Sequence, residues 1–208
     1  MKIGFIGLGN VGSKLAGSLL RDGFDLTVRD LDDALVRSFV DRGAASAASP
    51  KEMAEKVDLI ITCLPSPAVC ATVMESEDGI IAGLSSGKVW LEMSTTDQSE
   101  VIRLANAVEA KGAMAMDCPV SGGCHRAATG NISIFAGGER ETFERVLPIL
   151  TTLGRRILHT GPIGSASVLK VVTNYLCTVH LAALAEAFET RSQEVDMEVA
   201  SAPEATIP

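Results

Sequence analysis

Three groups of residues in this chain have the types and spacing to do chemistry. The first is Ile3-Gly4-Phe5-Ile6-Gly7-Leu8-Gly9-Asn10-Val11-Gly12, in which Gly7, Gly9 and Gly12 stand in the spacing G-x-G-x-x-G. Between a strand-like run and a helical pattern, that spacing cradles a pyrophosphate. Gly7 permits the tight turn, Gly9 lets the backbone approach the anion, and Gly12 lets the helix pack close to the strand. Leu8, Asn10 and Val11 belong to the same cradle at the helix N-terminus, where free N–H groups and the helix dipole favour an anion. Asp30, at the end of the second strand, is placed to accept hydrogen bonds from ribose hydroxyls. Its charge repels a 2′-phosphate, so NAD is favoured over NADP. Arg29 beside it reads as a solvated side chain, with a swing toward a phosphate as the alternative.

The second group is Lys170 with Asn174, four residues apart and therefore on one face of a helix. A lysine in an otherwise apolar helix is notable, because burial disfavours its charged form and makes proton exchange near neutral pH feasible. The bland reading of the same residue is a lysine snorkelling to water. The third group is Asp117-Cys118-Pro119-Val120-Ser121-Gly122-Gly123, continued by Cys124-His125-Arg126.

These groups need a scaffold, and the pattern of the chain supplies one. Apolar or β-branched runs at 2–6, 26–29, 59–63, 89–93, 114–117, 132–135 and 156–159 predict strands. Helical periodicity predicts helices over 11–21, 32–42, 50–56, 67–74, 97–111 and 140–151. Ser49, Ser66 and Thr96 stand as helix-start signals. The alternation predicts an α/β protein, a Rossmann-type doubly wound and mostly parallel sheet over 1–164. From Ser165 to about Arg191 runs one long apolar helix, the first of a truncated all-α domain over 165–193, which needs something to bury it. The segment 194–208 reads as a disordered tail.

Composition narrows the function classes. A formal charge of −8 and a pI near 4.9, with Lys and Arg scattered, speak against a nucleic-acid partner and for a small molecule. Five cysteines without a C-x-x-C pair suggest reduced thiols. His125, His159 and His180 are dispersed, so no metal is expected. A strand pattern from Lys2 leaves no room for a leader, and no apolar run is expected to approach the about 20 residues of a membrane span. The expectation is a cytoplasmic protein without a membrane role.

With these residues in view, the chain resembles the β-hydroxyacid dehydrogenases, the family of 3-hydroxyisobutyrate dehydrogenase, related to 6-phosphogluconate dehydrogenase. Asp117 to Gly123 is similar to that family's D-x-P-V-S-G-G substrate signature, and Gly161 to Asn174 to its G-x-G-x-x-x-K-x-x-x-N catalytic segment. The resemblance implies that Ser121 and the amides of Gly122 and Gly123 form a nest for a substrate carboxylate. It implies that Lys170 exchanges a proton with the alcohol or carbonyl oxygen while hydride passes to or from the nicotinamide, and that Asn174 holds the substrate. Ile61-Thr62-Cys63-Leu64-Pro65 and Met93-Ser94-Thr95-Thr96-Asp97 also resemble family segments, which would bring Leu64, Pro65 and Thr95 to the cofactor. Helix capping is a compatible reading of Ser94 to Thr96.

The chain departs from the family in two places. The family continues after its glycines with small residues, where this chain has Cys124, His125 and Arg126; the latter two either pair with a second anionic group or face water. Cys124 beside His125 is a poor nucleophilic pair, because sequence neighbours rarely face each other. The family also continues through a further helical domain, whereas here the resemblance runs from Met1 to about Glu189. The exposed helix then predicts a homo-oligomer. The leading expectation is an NAD-dependent oxidoreductase of a 3-hydroxy acid or its semialdehyde. A glyoxylate, succinic semialdehyde or imine reductase using NADPH, and a dinucleotide-binding module without turnover, are the alternatives.

Overall fold

The structure, a computed structural model, describes the backbone of residues 1–198 and side chains through residue 190. In chain order the elements begin with β1 (Ile3–Ile6), α1 (Gly12–Arg21), β2 (Leu26–Arg29), α2 (Asp33–Val40), β3 (Ala45–Ser46) and α3 (Pro50–Lys56). Next come β4 (Leu59–Thr62), α4 (Pro67–Glu75), α5 (Ile80–Gly83), β5 (Val89–Glu92), α6 (Gln98–Glu109) and β6 (Met114–Asp117). The rest are β7 (Val120–Ser121), α7 (Cys124–Ala128), β8 (Ile132–Gly137), α8 (Arg140–Leu153), β9 (Gly154–Gly161) and α9 (Ser165–Glu198).

The strands lie in the order β3-β2-β1-β4-β5-β6-β8-β7, with β9 paired to β8. All pairs are parallel except those of β8 with β6 and β7. This is the mostly parallel, Rossmann-type sheet the alternation predicted. Side chains alternate along each strand, so both faces must be covered. Ile3, Phe5, Leu59, Ile61 and Leu91 pack into one apolar layer with Leu15 of α1 and Val146 of α8. Ile6, Ile60 and Trp90 pack into the other with Met53 of α3 and Leu104 of α6.

Ser49 and Ser66 cap α3 and α4 as their positions suggested, each accepting a backbone N–H. The start of α6 differs: Asp97, not Thr96, is the cap, and its Oδ1 accepts the Glu100 N–H at 3.0 Å. A carboxylate there satisfies an orphan donor and also favours the dipole. β3, β7, α5 and α7 are too short to leave a periodic pattern in the sequence. The chain divides into two compact units, Met1–Val171 and a second from Val172. Residues 199–208, part of the expected tail, lie outside the described residues. One expectation is corrected: Ser165–Thr190 is long and apolar enough to cross a membrane, with mean hydropathy 1.5. Only Lys170, Glu186 and Glu189 bring charge to it. Length and composition alone do not distinguish such a helix from one buried in a soluble protein.

Glu92, which ends β5, carries no signal in the sequence, and it ties together the loops that border the sheet's open end. Its fully buried carboxyl accepts from Ser94 N–H at 2.6 Å, Cys70 Sγ at 2.7 Å and Thr62 Oγ1 at 2.8 Å. Thr62 in turn receives the Trp90 indole N–H at 2.8 Å, and Ser94 Oγ receives the Leu64 N–H at 2.7 Å. One side chain thus joins the end of β4, the helix α4 and the loop after β5. Burial pushes its pKa above the ordinary 4.5, outweighing the hydrogen bonds that lower it.

The folded protein therefore keeps its proton on Glu92 to a higher pH than the unfolded chain, which releases it near pH 4.5. This contribution to stability is complete below that pH and is lost as pH rises through the folded pKa. Glu92→Gln imitates the neutral acid and is expected to show a smaller fall in melting temperature between pH 5 and pH 8 than the parent. An equal fall would assign the slope to other groups.

Candidate functional site

Within the first unit, a cavity of about 980 Å³ opens along the ends of the central strands. Gly7, Gly9, Asn10, Val11 and Gly12 line it from the first turn, and Asp30 from the end of β2. Leu64, Pro65 and Thr95 line it from the loops after β4 and β5, and Gly122, Gly123 and Lys170 also border it. The structure thus brings together three groups that lie far apart in the chain. Leu8, Ser121, His125, Arg126 and Asn174 are not among the lining residues. Leu8 is a core side chain, and Asn174 is exposed on the second unit.

Two of the three glycines stand where no side chain fits. Gly7 has φ +98°, and a Cβ there would strike the Cys63 carbonyl; a Cβ at Gly12 would strike the carbonyl of Gly7. Both positions are contacts of backbone on backbone, possible only without a side chain. Gly9 differs, since a Cβ there would meet nothing within 4 Å and would stand in the cavity. Among the described residues, the amides of Gly9, Asn10, Val11 and Gly12 donate to no acceptor, and α1 has no side-chain cap. Free donors, a helix dipole and open space fit a pyrophosphate.

Asp30 is oriented by backbone amides. Leu8 N–H donates to its Oδ2 at 2.5 Å and Asp32 N–H to its Oδ1 at 2.9 Å. Each carboxylate oxygen keeps a further lone pair for a hydroxyl. Leu8 therefore reaches the site through its backbone, while its side chain serves the core. Arg29 is partly buried, lines the cavity, and donates from Nη1 to the Ala47 carbonyl at 3.3 Å, so the solvated reading gives way to an anchored side chain. Val69, Thr72 and Val73 of α4 form a wall that the sequence reading missed, although their i, i+3, i+4 spacing carried the signal. Cys63 also lines the cavity; burial, aided by Glu92, raises its pKa to about 12, so it stays a thiol.

Lys170 is only 9% exposed and borders the cavity. Its position on α9 is set from β6. The buried Asp117 carboxyl accepts Gly164 N–H at 2.8 Å, Ser167 N–H at 2.7 Å and Ser167 Oγ at 2.8 Å. Three donors at the first turn of a helix are thereby satisfied by one side chain, as in a cap supplied from a distant strand. Gly122 and Gly123 have φ +132° and +83°, and their amides donate to no acceptor among the described residues. Successive free amides of this kind make an anion-binding concavity. His159 is structural: its Nε2 lies 2.8 Å from the Gly138 carbonyl and its ring packs on Phe143. His180 is exposed on α9.

Residues 2–161 match the family described as the NAD binding domain of 6-phosphogluconate dehydrogenase. The chain belongs to this family. It is 35% identical over 187 residues to 2-(hydroxymethyl)glutarate dehydrogenase of Eubacterium barkeri, covering 90% of this chain and 62% of that protein. It is 36% identical over 185 residues to mitochondrial 3-hydroxyisobutyrate dehydrogenase of Mus musculus, covering 89% and 55%. The solved Mycobacterium tuberculosis 3-hydroxyisobutyrate dehydrogenase with L-serine superposes with a TM-score of 0.85 at 27% identity, covering 92% of this chain and 65% of that one. The chain thus spans somewhat under two thirds of the length of these relatives. The cofactor class of the fold is a nicotinamide dinucleotide.

The geometry sets two pairs of expectations. Gly9→Ala should leave stability within about 0.5 kcal/mol and yet weaken NADH binding about tenfold or more, whereas Gly12→Ala should cost about 1–3 kcal/mol of stability. Urea denaturation beside an NADH titration separates the two effects; equal behaviour of both variants would contradict the open space at Gly9. Asp117→Asn sets an amide N–H₂ or a lost acceptor against buried donors and should cost about 1–3 kcal/mol. Hydrogen exchange should then show the Gly164 and Ser167 amides losing protection before those of β1, and unchanged protection would refute the anchoring role.

Proposed function

We propose that this protein is an NAD-dependent oxidoreductase acting on a 3-hydroxy acid, of the 3-hydroxyisobutyrate type, or on the matching semialdehyde. The observation that carries the reading is the placement of Lys170, a nearly buried amine, in the same cavity as the glycine cradle and the Gly122–Gly123 amides. Gly7, Gly9, Gly12 and Asp30 would hold a nicotinamide dinucleotide, which would supply or accept the hydride. Lys170 takes a proton from the substrate hydroxyl on oxidation and returns it to the carbonyl oxygen on reduction. The Gly122 and Gly123 amides hold the substrate carboxylate, with Ser121 beside them, and Leu64, Pro65 and Thr95 would line the cofactor's place in the cavity. The apolar wall of Val69 and Val73 limits water around the reacting atoms.

The names of the relatives support this substrate class, since both 2-(hydroxymethyl)glutarate and 3-hydroxyisobutyrate carry a hydroxyl on the carbon β to a carboxylate. Asp30 supports NAD over NADP. Arg29 in the cavity wall favours the second reading, an NADPH-dependent reductase of a semialdehyde or imine. A homo-oligomer through α9 belongs to the same proposal, supported by exposed Tyr175, Leu181, Leu184 and Phe188.

Fluorescence titration of the 208-residue chain with NADH and NADPH, followed by a panel of 3-hydroxy acids and semialdehydes, tests the reading. NADH is expected to bind more tightly than NADPH, and Lys170→Ala to keep NADH affinity while losing about 100-fold or more in turnover. Tighter NADPH binding would favour the reductase. Dinucleotide binding without turnover would leave a non-catalytic module, and no binding would overturn the assignment of the cradle.

A further inference from the structure

The side chains of His125 and Arg126 fold back over the two cavity-lining glycines. A Cβ at Gly122 would lie 3.0 Å from Arg126 Cδ, so the arginine stem crosses that glycine. A Cβ at Gly123 would lie 3.7 Å from His125 Nδ1. Neither residue could be read this way from sequence, because an exposed position on a five-residue helix carries no direction.

The helix that carries them is held in place. Ser18 Oγ donates to the Ala127 carbonyl at 3.4 Å and Arg21 Nη1 to the Ala128 carbonyl at 3.3 Å, tying α7 to α1. Asn131 N–H donates to the Arg126 carbonyl at 2.8 Å. The backbone beneath Arg126 is thus fixed while its guanidinium is not engaged: among the described residues Arg126 forms no ion pair and its side chain donates to no acceptor. This exposed guanidinium stands beside the Gly122 and Gly123 amides, which also donate to no acceptor among the described residues. Among the described residues that line the cavity, Asp30 is the one carboxylate, and two backbone amides already hold it.

We infer that Arg126, with His125 beside it, forms a second anion subsite next to the Gly122–Gly123 nest, and that the substrate is a 3-hydroxy acid bearing a second anionic group on its side chain. The inference rests on the reading of that nest as the carboxylate site. A planar guanidinium pairs with a carboxylate in two parallel hydrogen bonds, which a lysine or a water-filled gap does not reproduce. A monoanionic acid would leave the guanidinium without a partner and gain nothing from it.

The test uses a dead-end complex, so it needs no turnover. The full chain is saturated with NADH, and the quench of its fluorescence is followed with 2-(hydroxymethyl)glutarate and with the analogue whose distal carboxylate is a carboxamide. The dianion is expected to bind about tenfold or more tightly than the carboxamide. Arg126→Gln should abolish that ratio while leaving carboxamide affinity and NADH affinity unchanged, and Arg126→Lys should restore part of it. Equal binding of both acids, a ratio that survives in Arg126→Gln, or no binding of either acid to the NADH complex overturns the inference. Failure to bind NADH in the preceding titration instead overturns the proposed function itself.

Discussion

Where α1 leaves β1, the Cα of Gly12 lies against the carbonyl of Gly7, and Gly7 lies against the carbonyl of Cys63 at the end of β4. No side chain fits at either contact. The helix N-terminus is thereby drawn onto the ends of two central strands, with four amides left without acceptors among the described residues. Everything else about the site is arranged around that concentration of unsatisfied donors. Asp30 is fixed beside it through the Leu8 amide, and the loops from β4 and β5 close over it.

Two buried carboxyls do the complementary work of anchoring those loops, by different means. Glu92 gathers Thr62, Cys70 and Ser94 within the apolar layer, with burial favouring its neutral form. Asp117 spans from β6 to the first turn of α9, where it receives three donors. A parallel sheet ends its strands in loops, and a loop without regular pairing holds position only through such side-chain anchors. Lys170 stands one turn beyond the Asp117 anchor, so the geometry of the amine depends on a residue more than fifty positions earlier in the chain.

The glycine spacing, Asp30, the alternating strands and helices, and the capping of α3 and α4 were legible from residue types, because each rests on local rules of backbone shape and periodicity. The cap of α6 was misread by one residue, since Thr96 and Asp97 both offer oxygens and only the path of the chain chooses. Glu92 was invisible as an anchor: an acid ending an apolar run looks like a surface residue until the neighbouring strand and α4 are laid over it. The wall of α4 and the partner of Arg29 were missed for the same reason.

The sequence by itself determined that a doubly wound sheet would form and that its first turn would present amides to an anion, since both depend on contacts within a few residues. It also determined that Lys170 would interrupt an apolar helix. Only the tertiary structure decided that Lys170 borders the cavity, that Leu8 serves through its amide, and that Arg126 lies across Gly122. Those outcomes depend on contacts between elements far apart in the chain, and no local preference of the residues involved specifies them.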